Sequence, residues 1–289
     1  METVISTEFS SQALGAFLGY LVIVLMIGVL SSRFASGGIS EFFIGGRKMH
    51  RFVVALSAVV SGRSAWLLLG VTGMAYKMGV GAVWAVVGYI LVEMLLFLFY
   101  AKRLRKFSET YDCITVPDFF AFRFQDSNGI LRIVSVLIIV LFMISYVSAQ
   151  FVAGGKTFAA SFQIDPTSGI IITALIVLFY TMLGGFLAVS LTDMIQAIFM
   201  LLALIILPVI TITAKGGVAM VVQTLQQLDP KLIDPAALGM GGIIGFLGIG
   251  LGSPGNPHII TRYMSISKAE QLRVAAVVGT IWNVLMAWG

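Results

Sequence analysis

Apolar residues in this chain fall into blocks of about 20, and these blocks restrict what it can fold into. A helix rises about 1.5 Å per residue, so a block of that length crosses roughly 30 Å of hydrocarbon in a bilayer. Of the 289 residues, 59% are hydrophobic and 11% are charged, whereas about a quarter of a soluble domain is charged. The blocks also lack the alternating pattern of a membrane barrel strand. We therefore expect an all-α integral membrane protein and exclude a water-soluble globule.

The blocks predict one transmembrane domain over residues 1–289, with seven complete spans and part of an eighth. The complete spans are expected near residues 13–32, 52–75, 81–101, 130–152, 168–188, 190–213 and 240–261, and the eighth begins near residue 272. No basic region precedes the first block, so it is interpreted as a retained helix rather than a signal peptide. The last apolar run reaches Gly289 with no polar flank, so the eighth span is expected to be incomplete.

Most basic residues lie on one side of these spans, which predicts the orientation of the chain. With the N-terminus outside, the inner loops contain Arg33, Arg47, Lys48, Arg51, Lys102, Arg103, Arg105, Lys106, Arg123, Arg132, Arg262, Lys268 and Arg273. The outer segments contain Lys77, Lys156, Lys215 and Lys231. Since cytoplasmic loops are enriched in Lys and Arg, we expect a plasma (inner) membrane protein with its N-terminus outside. The net charge of +5 then favours contact with membrane lipid rather than with nucleic acid.

Two spans contain residues that a uniform lipid-facing helix would not use. The second has a cluster of serines around Gly62 and Arg63, and the seventh, over residues 245–258, is dense in glycine and contains two prolines. Proline removes a backbone donor, and the freed carbonyls and helix ends of a broken helix can bind cations and carboxylates. Both spans are therefore predicted to be broken helices. For the seventh, helix packing through Gly241 and Gly245 is the alternative.

A few polar residues within or beside the spans carry more than one interpretation. Asp193 follows Thr192 at the expected start of the sixth span, where it could cap the helix or line a cation path. Glu93, near the middle of the third span, is expected to be neutral or to face water. Neither histidine has a second ligand at metal spacing, so no zinc site is expected.

Several stretches spread over nearly the whole chain resemble the sodium:solute symporter family, and within it the sodium/proline symporters. The most specific are YTMLGGFLAVSLTDMIQ at 180–196 and GNPHIITRY at 255–263. GGRK at 45–48, ALSA at 55–58, WLLLG at 66–70 and TVPDFF at 115–120 also match. The resemblance implies a leucine-transporter-like inverted-repeat fold, with one extra N-terminal helix before two five-helix repeats. It also implies that this chain is truncated within the second repeat, so the 289 residues alone are not expected to transport.

The resemblance implies sodium as the coupled ion. The backbone carbonyls of Val60 and Arg63 and the carboxylate of Asp193 match the positions that face the cation in the family. Gly62 stands where the family has an aspartate, and the family's later-helix hydroxyl ligands have no counterpart in this chain.

The resemblance also implies a substrate site. Its matching residues are Ser57, Arg63, Trp66, Tyr146, Ile249 and Ser253. Ile249 and Ser253 replace a tryptophan and a tyrosine of the proline carriers, so proline is expected to be a poorer substrate here than in those carriers. The side chain of Arg63 is expected to turn away from the ion and to bind either a substrate carboxylate or a protein acid such as Asp193 or Glu93.

We therefore predict a sodium-coupled secondary transporter, a symporter, for a small organic solute such as proline or a related carboxylate. The predicted partners are that solute, sodium and membrane lipid. A symporter-like sensor module fused to signalling domains remains an alternative. An enzyme is not expected, because neither histidine is placed to act as a base for Ser61 or Ser64.

Overall fold

The computed structural model describes residues 11–287, and these are almost entirely helical. The first half of the chain forms α1 Ser11–Ala35, α2 Ile39–Ile44, α3 Arg51–Ser61, α4 Thr72–Met78, α5 Val83–Leu95, α6 Lys102–Thr110 and α7 Val116–Arg123. The second half forms α8 Ile130–Phe162, α9 Pro166–Ala214, α10 Val218–Leu228, α11 Gly239–Leu247, α12 Pro257–Ser265 and α13 Leu272–Ala287. Residues 288 and 289, at the end of the expected eighth span, lie outside the described part.

Within residues 11–287, four helical stretches are long and apolar enough to cross a membrane, judged by length and composition. These are Gln12–Ala35, Trp66–Thr110, Ile130–Phe162 and Pro166–Ala214, and Arg51–Ser61 is a shorter apolar helix. Large apolar side chains cover the outside of α8, where Leu137, Leu141 and Phe142 are each more than 60% exposed. Such a surface is suited to lipid.

Helix α9 contains both of the spans expected at 168–188 and 190–213, and it changes direction inside the first of them. The change occurs at Gly185, which has φ 53° and ψ −147°. A side chain at Gly185 would also be crowded, because a Cβ there would lie 2.8 Å from the carbonyl oxygen of Phe42. Glycine alone adopts this conformation without strain, so Gly185 sets the angle between the two halves of α9.

The structure confirms the predicted break in the second span. Helix α3 ends at Ser61, a turn occupies residues 62 and 63, and a π-helical segment follows over Trp66–Val71. Ser64 has φ 43°, in the left-handed region that serine seldom occupies.

The structure also confirms the break in the seventh span. Helix α11 gives way to a 3-10 segment over Gly248–Gly255, and Asn256 is extended before α12 begins at Pro257. Gly241 and Gly245 meet no other atoms within 4 Å of an added Cβ. Packing through these two glycines therefore does not account for the glycine-rich sequence.

The main hydrophobic core lies between α3, α12 and α13. Val59, Ile259, Tyr263 and Ala275 are fully buried there, so apolar packing holds α3 and α12, which are parts of the two broken spans, together. A single parallel bridge between Met49 and Ile266 adds a backbone link. The amide of Met49 donates to Ser265 (3.1 Å), and the amide of Ser267 donates to the carbonyl of Met49 (3.0 Å).

Candidate functional site

A cavity of about 860 Å³ lies beside the break that follows α3. Its walls come from α1, α3, α8, α9 and α12, so elements far apart in sequence line it together. The polar side chains on its lining are those of Tyr20, Ser61, Ser64, Tyr146, Gln150, Tyr180, Asp193, Gln196, His258 and Arg262. A space of this volume with a few converging polar groups is typical of a small-molecule site.

Asp193 is the centre of a polar cluster on this wall. Its Oδ2 accepts hydrogen bonds from the hydroxyls of Ser57 (2.6 Å) and Ser61 (3.3 Å), and from Nη2 of Arg262 (2.7 Å). The capping interpretation of Asp193 is wrong, because the residue lies inside α9, whose N-cap is Asp165. Asp193 instead joins α9 to the two broken spans.

Arg262 is the functional residue of this cluster that the sequence analysis placed incorrectly. It is not in an inner loop but within α12, where it is 6% exposed. Its Nε donates to the Ser57 hydroxyl (2.6 Å), and its Nη1 donates to the carbonyl of His258. Proline is favoured at the first position of a helix, so Pro257 was the sequence signal that Arg262 belongs to a helix.

A second polar cluster lies on the other side of the α3 break and is fully enclosed. Nε of Arg63 donates to Oδ1 of Asn283 (3.0 Å), and Nη2 donates to Oε2 of Glu93 (3.2 Å). The exposed fractions of Arg63, Glu93 and Asn283 are 1%, 1% and 3%. Glu93 therefore does not face water, and its partners come from outside its own helix. Nothing in the sequence around Asn283 indicated its part in this cluster.

The residues predicted for an ion contact lie on both sides of the break. Val60 and Asp193 line the cavity. The carbonyl of Val60 accepts from the amide of Arg63 (2.9 Å), and the carbonyl of Arg63 accepts from the amide of Leu67 (3.0 Å). A carbonyl oxygen has two lone pairs, so each can accept these bonds and still contact a cation.

The residues predicted for a substrate site are not all brought together. Tyr146 lines the cavity, and its ring stacks on His258 with 5.2 Å between centroids. Trp66 stacks instead on Tyr89 (5.5 Å between centroids), away from the cavity lining. Ile249 and Ser253 lie on the 3-10 segment and do not line the cavity either, and Ser253 is buried.

Acidic and metal-binding side chains do not form a cluster large enough to hold a metal ion by themselves. Across residues 11–287, no group of three or more His, Cys, Asp and Glu residues is suitably placed. Any cation beside Asp193 would therefore take its other ligands from serine hydroxyls, backbone carbonyls, water or the solute, which suits a hard monovalent ion bound by oxygen.

A family model described as the sodium:solute symporter family matches residues 42–289. The osmoregulated proline transporter OpuE of Bacillus subtilis is 38% identical over 272 residues, which cover 93% of this chain and 55% of that protein. A sodium/proline symporter of Staphylococcus aureus is 38% identical over 264 residues, which cover 91% of this chain and 52% of that protein. The chain thus spans about half the length of these curated relatives.

A solved structure of a Na⁺-coupled sialic acid symporter, in a substrate-bound outward-open state, superposes with a TM-score of 0.81 at 17% identity. The match covers 97% of this chain and 61% of that one. This likeness confirms the expected leucine-transporter-like, all-α fold.

Proposed function

Because the chain belongs to the sodium:solute symporter family, we propose that it forms the ion- and solute-binding part of a sodium-coupled symporter. The proposed solute is small and carries a carboxylate, with proline or a related amino acid as the first candidate. The observation that carries this proposal is the pair of Asp193 and Arg262, 2.7 Å apart on the wall of the 860 Å³ cavity. An anionic and a cationic side chain on the same wall are suited to bind a cation and a carboxylate that are carried together.

The ion is proposed to bind at Asp193. The donors from Ser57, Ser61 and Arg262 all approach Oδ2, so Oδ1 is the oxygen available to a cation. The carbonyls of Val60, which lines the cavity, and of Arg63, which lies at the break itself, are the proposed backbone ligands. Unwound backbone at the middle of a span is the usual source of such ligands in carriers.

The solute is proposed to bind in the adjoining cavity. Arg262 can hold a carboxylate through its planar guanidinium, and a cation that draws Asp193 away would free it to do so. Tyr146 offers an aromatic surface for the apolar part of the solute. Ser57, Trp66, Ile249 and Ser253 remain proposed contacts through rearrangement, because none of their side chains lines the cavity described.

The protein is proposed to lie in the plasma (inner) membrane with its N-terminus outside, in keeping with the basic inner loops. The sensor alternative is not carried forward, because no feature of the site favours it.

The test is uptake of labelled proline into proteoliposomes that contain the full-length product of the gene, with and without an inward sodium gradient. Asp193→Asn should abolish the dependence on sodium, and Arg262→Gln should weaken uptake of proline more than uptake of its methyl ester. Asp234→Asn is the matched control, because Asp234 is exposed and caps a loop away from the cavity. Sodium-dependent uptake that survives in Asp193→Asn would refute the ion site, and equal effects on acid and ester would remove Arg262 from the solute site.

A further inference from the structure

The buried cluster of Arg63, Glu93 and Asn283 connects the break after α3 to two other helices. Glu93 lies on α5 and Asn283 on α13, and their contacts with Arg63 are 3.2 Å and 3.0 Å long. We propose that these three residues, called here the anchor, hold the α3 break in its cavity-forming conformation, so that Arg63 is a positioning residue and its side chain is not a ligand for the solute.

The charges of the anchor are neutralised mainly by each other. Nη1 of Arg63 and Oε1 of Glu93 have no hydrogen-bond partner within residues 11–287, and both side chains are at most 2% exposed. A buried charge that loses its partner is strongly destabilising, whereas removing both charges together is often tolerated. The break after α3 and helix α5 therefore cannot move apart without leaving one of the two charges buried and unpaired.

Tyr89 extends the anchor to the backbone of the break. Its ring centroid lies 4.2 Å from Cζ of Arg63, a cation–π distance, and its hydroxyl donates to the carbonyl of Gly62 (3.0 Å). A Cβ at Gly62 would overlap that hydroxyl. The Tyr89 hydroxyl therefore occupies the space that a side chain at residue 62 would need. The same hydroxyl gives the carbonyl of Gly62, which the break leaves free, a hydrogen-bond partner.

One face of the break contacts the anchor and the other lines the cavity. Gly62 and Arg63 face the anchor, whereas Val60, Ser61 and Ser64 line the cavity. Ser64 is held at φ 43°, and such a conformation in a residue with a Cβ persists only where the surroundings impose it. The anchor supplies that constraint from the side opposite the cavity.

The first experiment compares thermal unfolding in detergent for Arg63→Met, Glu93→Gln and the double variant of the purified protein. Each single variant should melt well below the wild type, and the double variant should recover much of that loss. Glu270→Gln is the control, because Glu270 faces Lys102 at 3.9 Å in an exposed pair, and its melting temperature should not change. Wild-type melting of Arg63→Met, or a double variant no better than both singles, would overturn the anchor.

The second experiment adds Ser64→Gly, which tolerates the left-handed conformation without the constraint. Ser64→Gly should raise the melting temperature more in the wild type, where the anchor imposes the positive φ, than in the double variant, where a serine can relax, and equal shifts would contradict the positioning role. This comparison does not depend on transport, so it tests the anchor even if the proposed function fails.

Uptake measurements, which rest on the proposed function, give a further readout. The double variant should lose apparent affinity for sodium and for solute several-fold, and Ser64→Gly should restore part of the sodium affinity. A double variant that selectively loses carboxylate solutes, while neutral analogues are taken up as before, would show that Arg63 is a ligand after all.

Discussion

The hydroxyl of Ser57 links three elements of the site, because it bonds to side chains of α9 and α12 from its own position in α3. It donates to Asp193 and accepts from Nε of Arg262, so it lies between the two charges of the cavity wall. The side chain is fully buried, and an unsatisfied buried partner costs about 1–3 kcal/mol. The serine cluster of the second span thus orders the ion pair, a role that its composition alone did not indicate.

Cys113, the single cysteine, allows a test at the residue scale outside the spans. It is fully buried between α6 and α7. Burial raises the pKa of its thiol, with a further increase from Asp118 that Arg47 partly offsets. Because the thiolate is the reactive form, we expect slow labelling by a maleimide, with a rate that is still rising at a pH where an ordinary thiol has reached its plateau.

The matched reporter for Cys113 is Ser127→Cys in a Cys113→Ala background, since Ser127 is exposed in the loop before α8. Labelling rates of both proteins are measured from about pH 7 to about pH 11, so that the range extends well above the usual thiol pKa of about 8.5 and includes the plateau of an ordinary thiol. Similar rates throughout would show that the thiol is open to solvent.

Residues with local signals could be predicted from the sequence, whereas their partners could not. Glycine and proline act on their own backbone, so the broken spans were found correctly. The partner of Arg63 depends on how α5 packs against α3, and Glu93 is 30 positions away in sequence. Arg63 was expected to bind either a substrate carboxylate or a protein acid such as Asp193 or Glu93, and only the packing selects Glu93.

At the scale of elements, Gly185 is the position where one residue controls the course of a long helix. The sequence analysis divided this region by hydrophobicity near residue 189, because composition indicates where a span is and not where its axis turns. Gly185→Ala should destabilise the protein by more than about 1 kcal/mol, since alanine is strained at positive φ and its Cβ would meet the carbonyl of Phe42 at 2.8 Å.

Gly241→Ala is the control for Gly185→Ala. Gly241 lies in α11 with no atom within 4 Å of an added Cβ, so alanine there should be neutral or stabilising, by up to about 1 kcal/mol. The measurement is chemical or thermal unfolding of both variants in the same detergent. Equal stabilities would mean that the turn in α9 does not depend on glycine.

At the scale of the whole molecule, the chain is a multi-pass membrane protein in which two ion pairs brace the broken spans. The pair of Arg63 and Glu93 is enclosed, with side chains at most 2% exposed. The pair of Arg262 and Asp193 lies on the cavity, with side chains 7% and 14% exposed. Only the second pair borders the cavity, so that pair is the one suited to exchange partners.

The orientation of the whole molecule can be tested with two cysteines introduced in the Cys113→Ala background. Ser127→Cys lies in a predicted inner loop and Lys215→Cys in a predicted outer one, and both positions are exposed. A membrane-impermeant maleimide applied to right-side-out vesicles should label Lys215→Cys at once and Ser127→Cys only after the membrane is opened. The reverse pattern would place the N-terminus inside.

The bridge between Met49 and Ile266 restricts where residues can be inserted into or deleted from this chain. Met49 is bonded through both its amide and its carbonyl, to Ser265 and Ser267, and Arg105 donates to the carbonyl of Ile266 at 2.8 Å. A one-residue insertion just before α3 would shift this register by one position and turn the bonded groups the opposite way. In the described part of the chain, the turn at residues 125–129 forms no bridge of this kind. Insertions and deletions among natural variants should therefore accumulate in that turn and be missing from the segment between α2 and α3.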